Sequence, residues 1–392
     1  MKLLHNIYYI FNAYIALVLF LFTKKQKDVW LIGGHNAKLY TDNSKVFYEY
    51  ILLNHSSINI YWIVDKNASI MQDIKGERLI KGSIKSYLYF YYAKVVLFSD
   101  TLNSDIAPFS FVLPIVKHFY THVLKIYLSH GTIALKKMPQ YQGKIAKLKQ
   151  AIFYSYDLAI ASTELSKKAM LGYNINPTAI QLLGSARHDV LKSIPNAQRV
   201  ILITPTWRSW LSSKNILKES DFFNQYKSLL LDINLHLFLR ENNIHIHFYL
   251  HHMLHQYYSI FQDFENDVIK ILAPSVNINN EIMSAELMIT DYSSMCSDFY
   301  YLQKPIVFFQ FDREKYIKKI GSEIDLENTI FGDVFDDSPS LVEHIITNMT
   351  KQISISKKQK EGERYFIHFK DKQNCSRIYN AITKKILSKK LK

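Results

Sequence analysis

Four places in this chain set chemistry-bearing side chains directly after a short apolar run. Ser129-His130-Gly131-Thr132 follows residues 124–128. An imidazole titrates near neutral pH, so His130 is suited to taking or giving a proton, and Gly131 lets backbone approach a ligand closely. Thr204-Pro205-Thr206-Trp207-Arg208 follows residues 200–203. A guanidinium offers a planar fork of donors that matches phosphate oxygens. His251 and His252 follow residues 245–250, with His255 beyond. The spacing of His251 and His255 raises zinc, but no Glu stands between them as the helical zinc-protease pattern requires. A single His251 facing an anion is the preferred reading. Thr290-Asp291-Tyr292-Ser293-Ser294 follows residues 287–289 and precedes a predicted helix over 295–302. Hydroxyls and free amides at a helix start form an anion site. Each signal also has a plain structural reading: a turn, a surface arginine beside a packed tryptophan, or a helix cap made by Ser293 or Asp291. Taken together they suit a phosphate-bearing ligand.

Alternating strands and helices must position these groups. Strands are predicted over 28–34, 58–64, 94–99, 124–128 and 158–161, with a helix over 44–53. The pattern resets near 195–199, and strands recur over 200–204, 245–250, 268–272, 287–290 and 306–309. Such a rhythm implies parallel sheets covered on both faces. The fold class is therefore α/β, with two doubly wound domains facing a cleft, and ligands expected beyond the carboxyl ends of the strands. The domains are expected over 28–195 and 196–392, the second ending in a helical tail from 340. Residues 7–22 are apolar except for Asn12 and are followed by Lys24, Lys25 and Lys27. That is short of the roughly 20 residues a membrane span needs, and the charge lies on the wrong side for a signal peptide. Residues 1–27 are expected to form a helix in the membrane interface, with a short span or a buried helix as alternatives.

The 392 residues are 48% hydrophobic, enough for two cores, and the net charge of +14 favours polyanionic partners. Lysines cluster at 24–27, along 136–149 and over 384–392. None of these runs carries a nucleic-acid motif, so nucleic acid is not an expected partner, whereas an anionic membrane surface is. Cys296 and Cys375 have neither metal-type nor disulfide-type spacing, which fits a reducing, cytoplasmic location. No long-period repeat is present.

The motifs together resemble those of the CDP-glycerol glycerophosphotransferases, which include primases and poly(glycerol phosphate) polymerases of teichoic acid and capsule synthesis. Ser129-His130-Gly131-Thr132 with Lys136-Lys137 resembles the HGT…KK motif, and Pro205-Thr206-Trp207-Arg208 the PTWR motif. Leu250-His251 stands where the family has K-L-H-P. Thr290-Asp291-Tyr292-Ser293-Ser294, with Asp298, Lys304-Pro305-Ile306 and Asp312, resembles the TDYSS segment and its continuation. Gly184-Ser185-Ala186-Arg187-His188-Asp189 is similar to the G-x-x-R-x-D link, and Tyr40-Thr41-Asp42-Asn43-Ser44-Lys45 to the Y-x-D-N-[PS]-K stretch. The resemblance covers residues 29–377. Departures are Tyr249 and His252 in place of Lys and Pro, no evident P-G motif around 326–333, and no extra large domain of the kind longer polymerases carry.

The resemblance implies a GT-B-like fold of two Rossmann-like domains, acting at the cytoplasmic face of the membrane. It implies a CDP-polyol donor, glycerol or ribitol, and a lipid-linked or polymer acceptor, with CMP released. By carry-over, His130 is the base and His251 balances the leaving charge. Arg208, Thr290, Ser293 and Ser294 hold donor oxygens, Gly131 and Thr132 line the substrate site, and Asp291 holds polyol hydroxyls or caps a helix. No cofactor is required, with magnesium as an optional companion of the donor. The competing classes are a GT-B nucleotide-sugar glycosyltransferase and a non-enzymatic basic protein that binds membranes or nucleic acid.

Overall fold

The computed structural model describes residues 2–24, 26–108, 118–119, 122–132, 135–137, 155–173, 175–195, 198–327, 331–350 and 354–390. Lys25, most of the lysine run over 136–149, the side chain of His252 and part of the stretch 326–333 lie outside these residues. The chain divides into two compact units. The first comprises Met1–Thr132, Met138–Val190 and His368–Lys392, and the second Ile133–Lys137 and Leu191–Ile367.

The first unit carries, among the described residues, a seven-stranded sheet. Its strands are β1 (Val29–Ile32), β2 (Asn59–Val64), β3 (Arg78–Ile80), β4 (Ala93–Phe98), β5 (Leu124–Tyr127), β6 (Leu158–Ala161) and β7 (Ile180–Leu182), in the order β3-β2-β1-β4-β5-β6-β7. Every pairing is parallel. All four residues of β1 are buried, as they are in β5 and β6. A strand covered on both faces has no polar side to show, so it reads as an unbroken apolar run. The edge strands β3 and β7 are three residues long and were not anticipated. Strand order reverses between β1 and β4, the place where sheets of this kind bind ligands.

The second unit carries, among the described residues, a six-stranded parallel sheet. Its strands are β8 (Arg199–Thr204), β9 (Ile244–Phe248), β10 (Ile269–Ile271), β11 (Leu287–Thr290), β12 (Ile306–Phe309) and β13 (Asp333–Phe335). The order is β10-β9-β8-β11-β12-β13, so the reversal falls between β8 and β11. Its core joins Ile201, Ile203, Tyr226, Phe248, Phe261 and Phe309. The strand β13 was not anticipated.

The helical tail corrects the expected second domain. Helix Asn374–Lys390 buries Cys375, Ile378, Ala381 and Ile382 in the core of the first unit. Its start is pinned there by Asp189, whose carboxylate accepts from the amides of Asn374 at 3.0 Å and Cys375 at 2.7 Å. A carboxylate at a helix start satisfies amides that have no intrahelical partner. Gly184 makes the close approach possible: its φ is +85°, and a Cβ there would lie 2.0 Å from the Asn374 side-chain oxygen. In the other direction, Lys137 belongs to the second unit, donating its amide to the Gly321 carbonyl at 3.0 Å.

Helix Lys2–Phe22 packs one face on helix Ile84–Tyr92. Ala13 and Ala16 are buried, and Asn12, the polar interruption of the apolar run 7–22, donates to the Gly82 carbonyl at 2.9 Å. Tyr91 donates to the Ala13 carbonyl at 2.8 Å. The opposite face leaves Ile7, Phe11, Tyr14, Val18, Leu21 and Phe22 exposed. No helix among the described residues is long and apolar enough to cross a membrane.

Candidate active site

In the first unit His130 follows β5, one strand from the reversal point. The turn is made by Ser129, whose φ is +59°, rather than by Gly131. The Ser129 hydroxyl donates to the Gly131 carbonyl at 2.9 Å and locks the turn. Thr132 is buried and accepts from the Ser162 hydroxyl at 3.3 Å. Gly131 and Thr132 thus shape the loop, while the His130 side chain remains 54% exposed. Its Nδ1 lies 3.3 Å from Asp100 Oδ1 and 3.3 Å from the Ser99 carbonyl. With Nδ1 held by these acceptors, Nε2 is the nitrogen left to exchange a proton with substrate. Desolvation would depress the His130 pKa. The hydrogen bond and charge of Asp100 outweigh it, Asp42 adds to them, and the value is raised to about 9.

Asp100 is itself fixed. The buried Asp105 carboxylate accepts from the amides of Ser99 at 3.0 Å, Asp100 at 2.8 Å and Asn36 at 2.9 Å. It therefore holds together the turns after β4 and β1. The second turn is strained: His35, Asn36 and Ala37 all have positive φ, as does Asp42. Such conformations cost about 1–3 kcal/mol each and persist only where the surroundings impose them. Asn43 and Arg187 supply more of that imposition. Asn43 donates to the Ser129 carbonyl at 3.0 Å and accepts from the Ser185 hydroxyl at 2.9 Å and the Arg187 amide at 3.0 Å. Arg187 Nη1 reaches Asp42 at 2.9 Å and the His130 carbonyl at 3.5 Å. Three motifs distant in sequence thus converge on one histidine. Asp100 was missed from the sequence, although it follows an apolar strand run just as the four singled-out clusters do.

In the second unit the sequence-based roles divide. Arg208 has no exposed surface. Its Nη2 lies 2.8 Å from Asp291, its Nε 2.8 Å from Asp312, and its Nη1 donates to the Thr206 carbonyl at 2.7 Å. The rings of Tyr292, Tyr316 and Phe222 lie 4.8, 5.3 and 5.4 Å from the guanidinium carbon. A cation so enclosed has no face to offer a donor phosphate, which corrects its expected role. Asp291 is equally buried; its carboxylate accepts from the amides of Thr206 at 2.9 Å and Tyr292. Burial pushes its pKa up, and Arg208 offsets this only in part. Of its two expected roles, holding polyol hydroxyls has no surface to act from. Thr290 is buried and donates to the Thr204 carbonyl at 2.7 Å, so it ties β11 to β8 instead of meeting a ligand.

Among the remaining groups His251 and Ser294 are half-buried, and Ser293 is buried. The Nδ1 of His251 accepts the Met253 amide at 3.3 Å. His255 points away, its Nε2 3.0 Å from the Leu250 carbonyl. Ser293 accepts the Met295 amide at 3.3 Å, and Ser294 is half-buried ahead of helix Cys296–Leu302. Lys304 is structural, donating to the carbonyls of Ile282, Met283 and Ala285. Among the described residues no group of three or more His, Cys, Asp or Glu is arranged to hold a metal ion.

Two outcomes follow from this geometry. Nuclear magnetic resonance titration of His130 should give a midpoint near 9, falling toward the ordinary 6.5 in Asp100→Asn; equal midpoints would remove Asp100 from the site. Because the folded pKa is raised, the pair's contribution to stability is complete below about pH 6.5 and fades as pH rises through about 9. Arg208→Ala should lower unfolding free energy by about 3–5 kcal/mol in urea titration, since it strands two buried carboxylates. A loss below 1 kcal/mol would return Arg208 to the ligand-binding set.

The chain matches the CDP-Glycerol:Poly(glycerophosphate) glycerophosphotransferase family over residues 13–384. It is 26% identical over 399 residues to the minor teichoic acid biosynthesis protein GgaB of Bacillus subtilis (strain 168), covering 97% of this chain and 41% of that protein. To the teichoic acid poly(glycerol phosphate) polymerase of the same organism it is 29% identical over 366 residues, covering 84% and 44%. The chain thus spans less than half the length of these two relatives. Among solved structures, the wall teichoic acid polymerase TagF is similar with a TM-score of 0.75 at 18% identity, over 99% of this chain and 97% of that one. That likeness shows a shared fold with two parallel sheets. The six ordered motifs and the match over residues 13–384 make this chain a member of the CDP-glycerol:poly(glycerophosphate) glycerophosphotransferase family.

Proposed function

We propose that this chain transfers a polyol phosphate, glycerol phosphate first, from a CDP-activated donor to a lipid-linked or polymer acceptor in teichoic acid or capsule-type synthesis. The observation that carries the reading is the His130–Asp100 pair at the strand-order reversal of the first sheet, within a chain of this family. The acceptor hydroxyl oxygen attacks the phosphorus that bears the polyol. A new P–O bond forms, the bond to CMP breaks, and the hydroxyl proton passes to His130 Nε2. Nδ1 stays with Asp100, which stabilises the imidazolium as it forms. This step needs the neutral imidazole, so the rate rises with pH through the raised His130 pKa.

On the second unit, His251, Ser293 and Ser294 are assigned to the donor diphosphate, where hydrogen-bond donors stabilise charge that grows on the phosphoryl and leaving oxygens. Arg208 and Asp291 act from beneath, fixing the loops that carry Thr206 and Ser293. The reading invokes no resident cofactor and leaves magnesium as a counter-ion of the donor. The bare apolar face of helix Lys2–Phe22, with Lys24 and Lys27 exposed after it, suits peripheral attachment to an anionic bilayer at the cytoplasmic side.

Incubation with a synthetic lipid-linked acceptor and a panel of CDP-glycerol, CDP-ribitol and UDP-sugars should release CMP from a CDP-polyol and no UDP. His130→Ala should lower kcat at least about a hundredfold while donor affinity is kept. His251→Ala should weaken donor binding as well. Release of UDP, or full turnover by His130→Ala, would overturn the assignment. Replacing Phe11 and Val18 with Glu should reduce sedimentation with anionic vesicles; unchanged sedimentation would remove the helix from the membrane reading.

A further inference from the structure

Helix Arg313–Lys319 presents Lys315, Lys318 and Lys319 to solvent along one side. Together with Ser209, Trp210 and Glu314 they line a recess of about 870 Å³. Lys315 Nζ lies 5.6 Å from the centre of the Trp210 ring. None of the three ammonium groups meets a carboxylate at ion-pair distance among the described residues. The helix is fixed from its other side: Tyr316 is buried and stacks on Tyr292 at 3.6 Å, and Asp312, just before the helix, holds Arg208. At the far end, the amide of Lys137 donates to the Gly321 carbonyl at 3.0 Å. A Cβ on Gly321 would meet the Lys137 side-chain carbons at 3.3 Å, so the exposed Lys137 lies beside the end of this helix.

We propose that this row is a subsite for the phosphodiesters of an already assembled polyol-phosphate chain, separate from the groups that handle the donor. The proposal rests on the transfer reading given above. Side chains three and four apart on a helix stand about 5–6 Å from one another. Lys315 stands one turn from the neighbouring pair Lys318 and Lys319, and that step matches a polymer with one negative charge per short polyol unit. A diphosphate donor, with its charge in one place, does not need such a row. A bilayer-docking face sets an apolar stripe beside its cations, as helix Lys2–Phe22 does. Here the apolar lining is Trp210, and its ring faces Lys315. Glu314, on the same rim, opposes a polyanion and sets the sign of a control.

The test compares the wild type with a Lys315→Gln/Lys318→Gln/Lys319→Gln variant on acceptors carrying one unit and many units. KM for the long acceptor should rise about tenfold, as the loss of three exposed ion pairs implies. KM for the single-unit acceptor and for CDP-glycerol should hold. Glu314→Gln should lower KM for the long acceptor. Direct titration of the wild type and the triple variant with purified poly(glycerol phosphate) reads the subsite without turnover. If the wild type binds this polymer and the variant does not, the subsite stands even where no CDP-polyol is consumed, and only the transfer reading fails. Equal length dependence and equal polymer binding in both proteins would overturn the subsite. Loss of sedimentation with anionic vesicles, with polymer binding intact, would also overturn it and make the row a membrane contact.

Discussion

A guanidinium without exposed surface has to be neutralised where it stands, and the second unit is arranged around that requirement. Arg208 lies between Asp291 and Asp312, with the rings of Tyr292 and Tyr316 beside it. Its ligands come from the loops after β8, β11 and β12, so one charge cluster fixes the carboxyl ends of three adjacent strands. Taking one cation and two carboxylates out of water costs several kcal/mol per ion unless every lone pair and proton is met. Here the amides of Thr206 and Tyr292 and the Tyr292 hydroxyl complete the set. Ser293, buried beside the cluster, and the half-buried Ser294 follow directly on Asp291 and Tyr292 and take their positions from it. Helix Arg313–Lys319 is anchored in the same way, through Asp312 and Tyr316, which fixes the side on which its lysines stand.

The first unit solves a similar problem with a carboxylate. Asp105 gathers amides from the turns after β1 and β4, and Asp100 holds His130 from one of them. The cost appears in the backbone: His35, Asn36, Ala37, Asp42 and Ser129 all adopt positive φ without being glycine. Strain of this kind at a strand-order reversal is a mark of a site whose geometry is imposed rather than relaxed. The consequence is a histidine with one nitrogen engaged and one open, the arrangement a general base needs.

The N-terminal helix belongs to the first unit and is divided into a packed face and a bare one. Its polar interruption, Asn12, is spent inward on Gly82, and its small residues Ala13 and Ala16 allow close packing on helix Ile84–Tyr92. What remains outward is large and apolar. One helix therefore reads both as part of the first unit and as a surface that water does not favour.

The apolar runs were enough to identify ten of the thirteen described strands, because most of them are buried on both faces and so are largely apolar. The short strands β3, β7 and β13 escaped: Arg78-Leu79-Ile80, Ile180-Gln181-Leu182 and Asp333-Val334-Phe335 each carry a polar residue and no extended apolar run, whereas the equally short β10 lies within the largely apolar run 268–272. The sequence also marked the strand ends that bear titratable and hydroxyl side chains, and the order of its motifs marked the family. It did not determine which members of each motif meet a ligand. Arg208, Asp291 and Thr290 have the side chains of a phosphate site, yet burial turned them into its foundation. Asp100, Asn43 and Arg187 gained roles only when the turns after β1, β4 and β5 and the segment after β7 came together. The helical tail likewise moved to the first unit through Asp189 and the core beneath Cys375. A side chain's chemistry is written in its type, whereas its exposure and its partners depend on contacts between residues more than a hundred positions apart, such as Asn43 with Ser185 and Arg208 with Asp312.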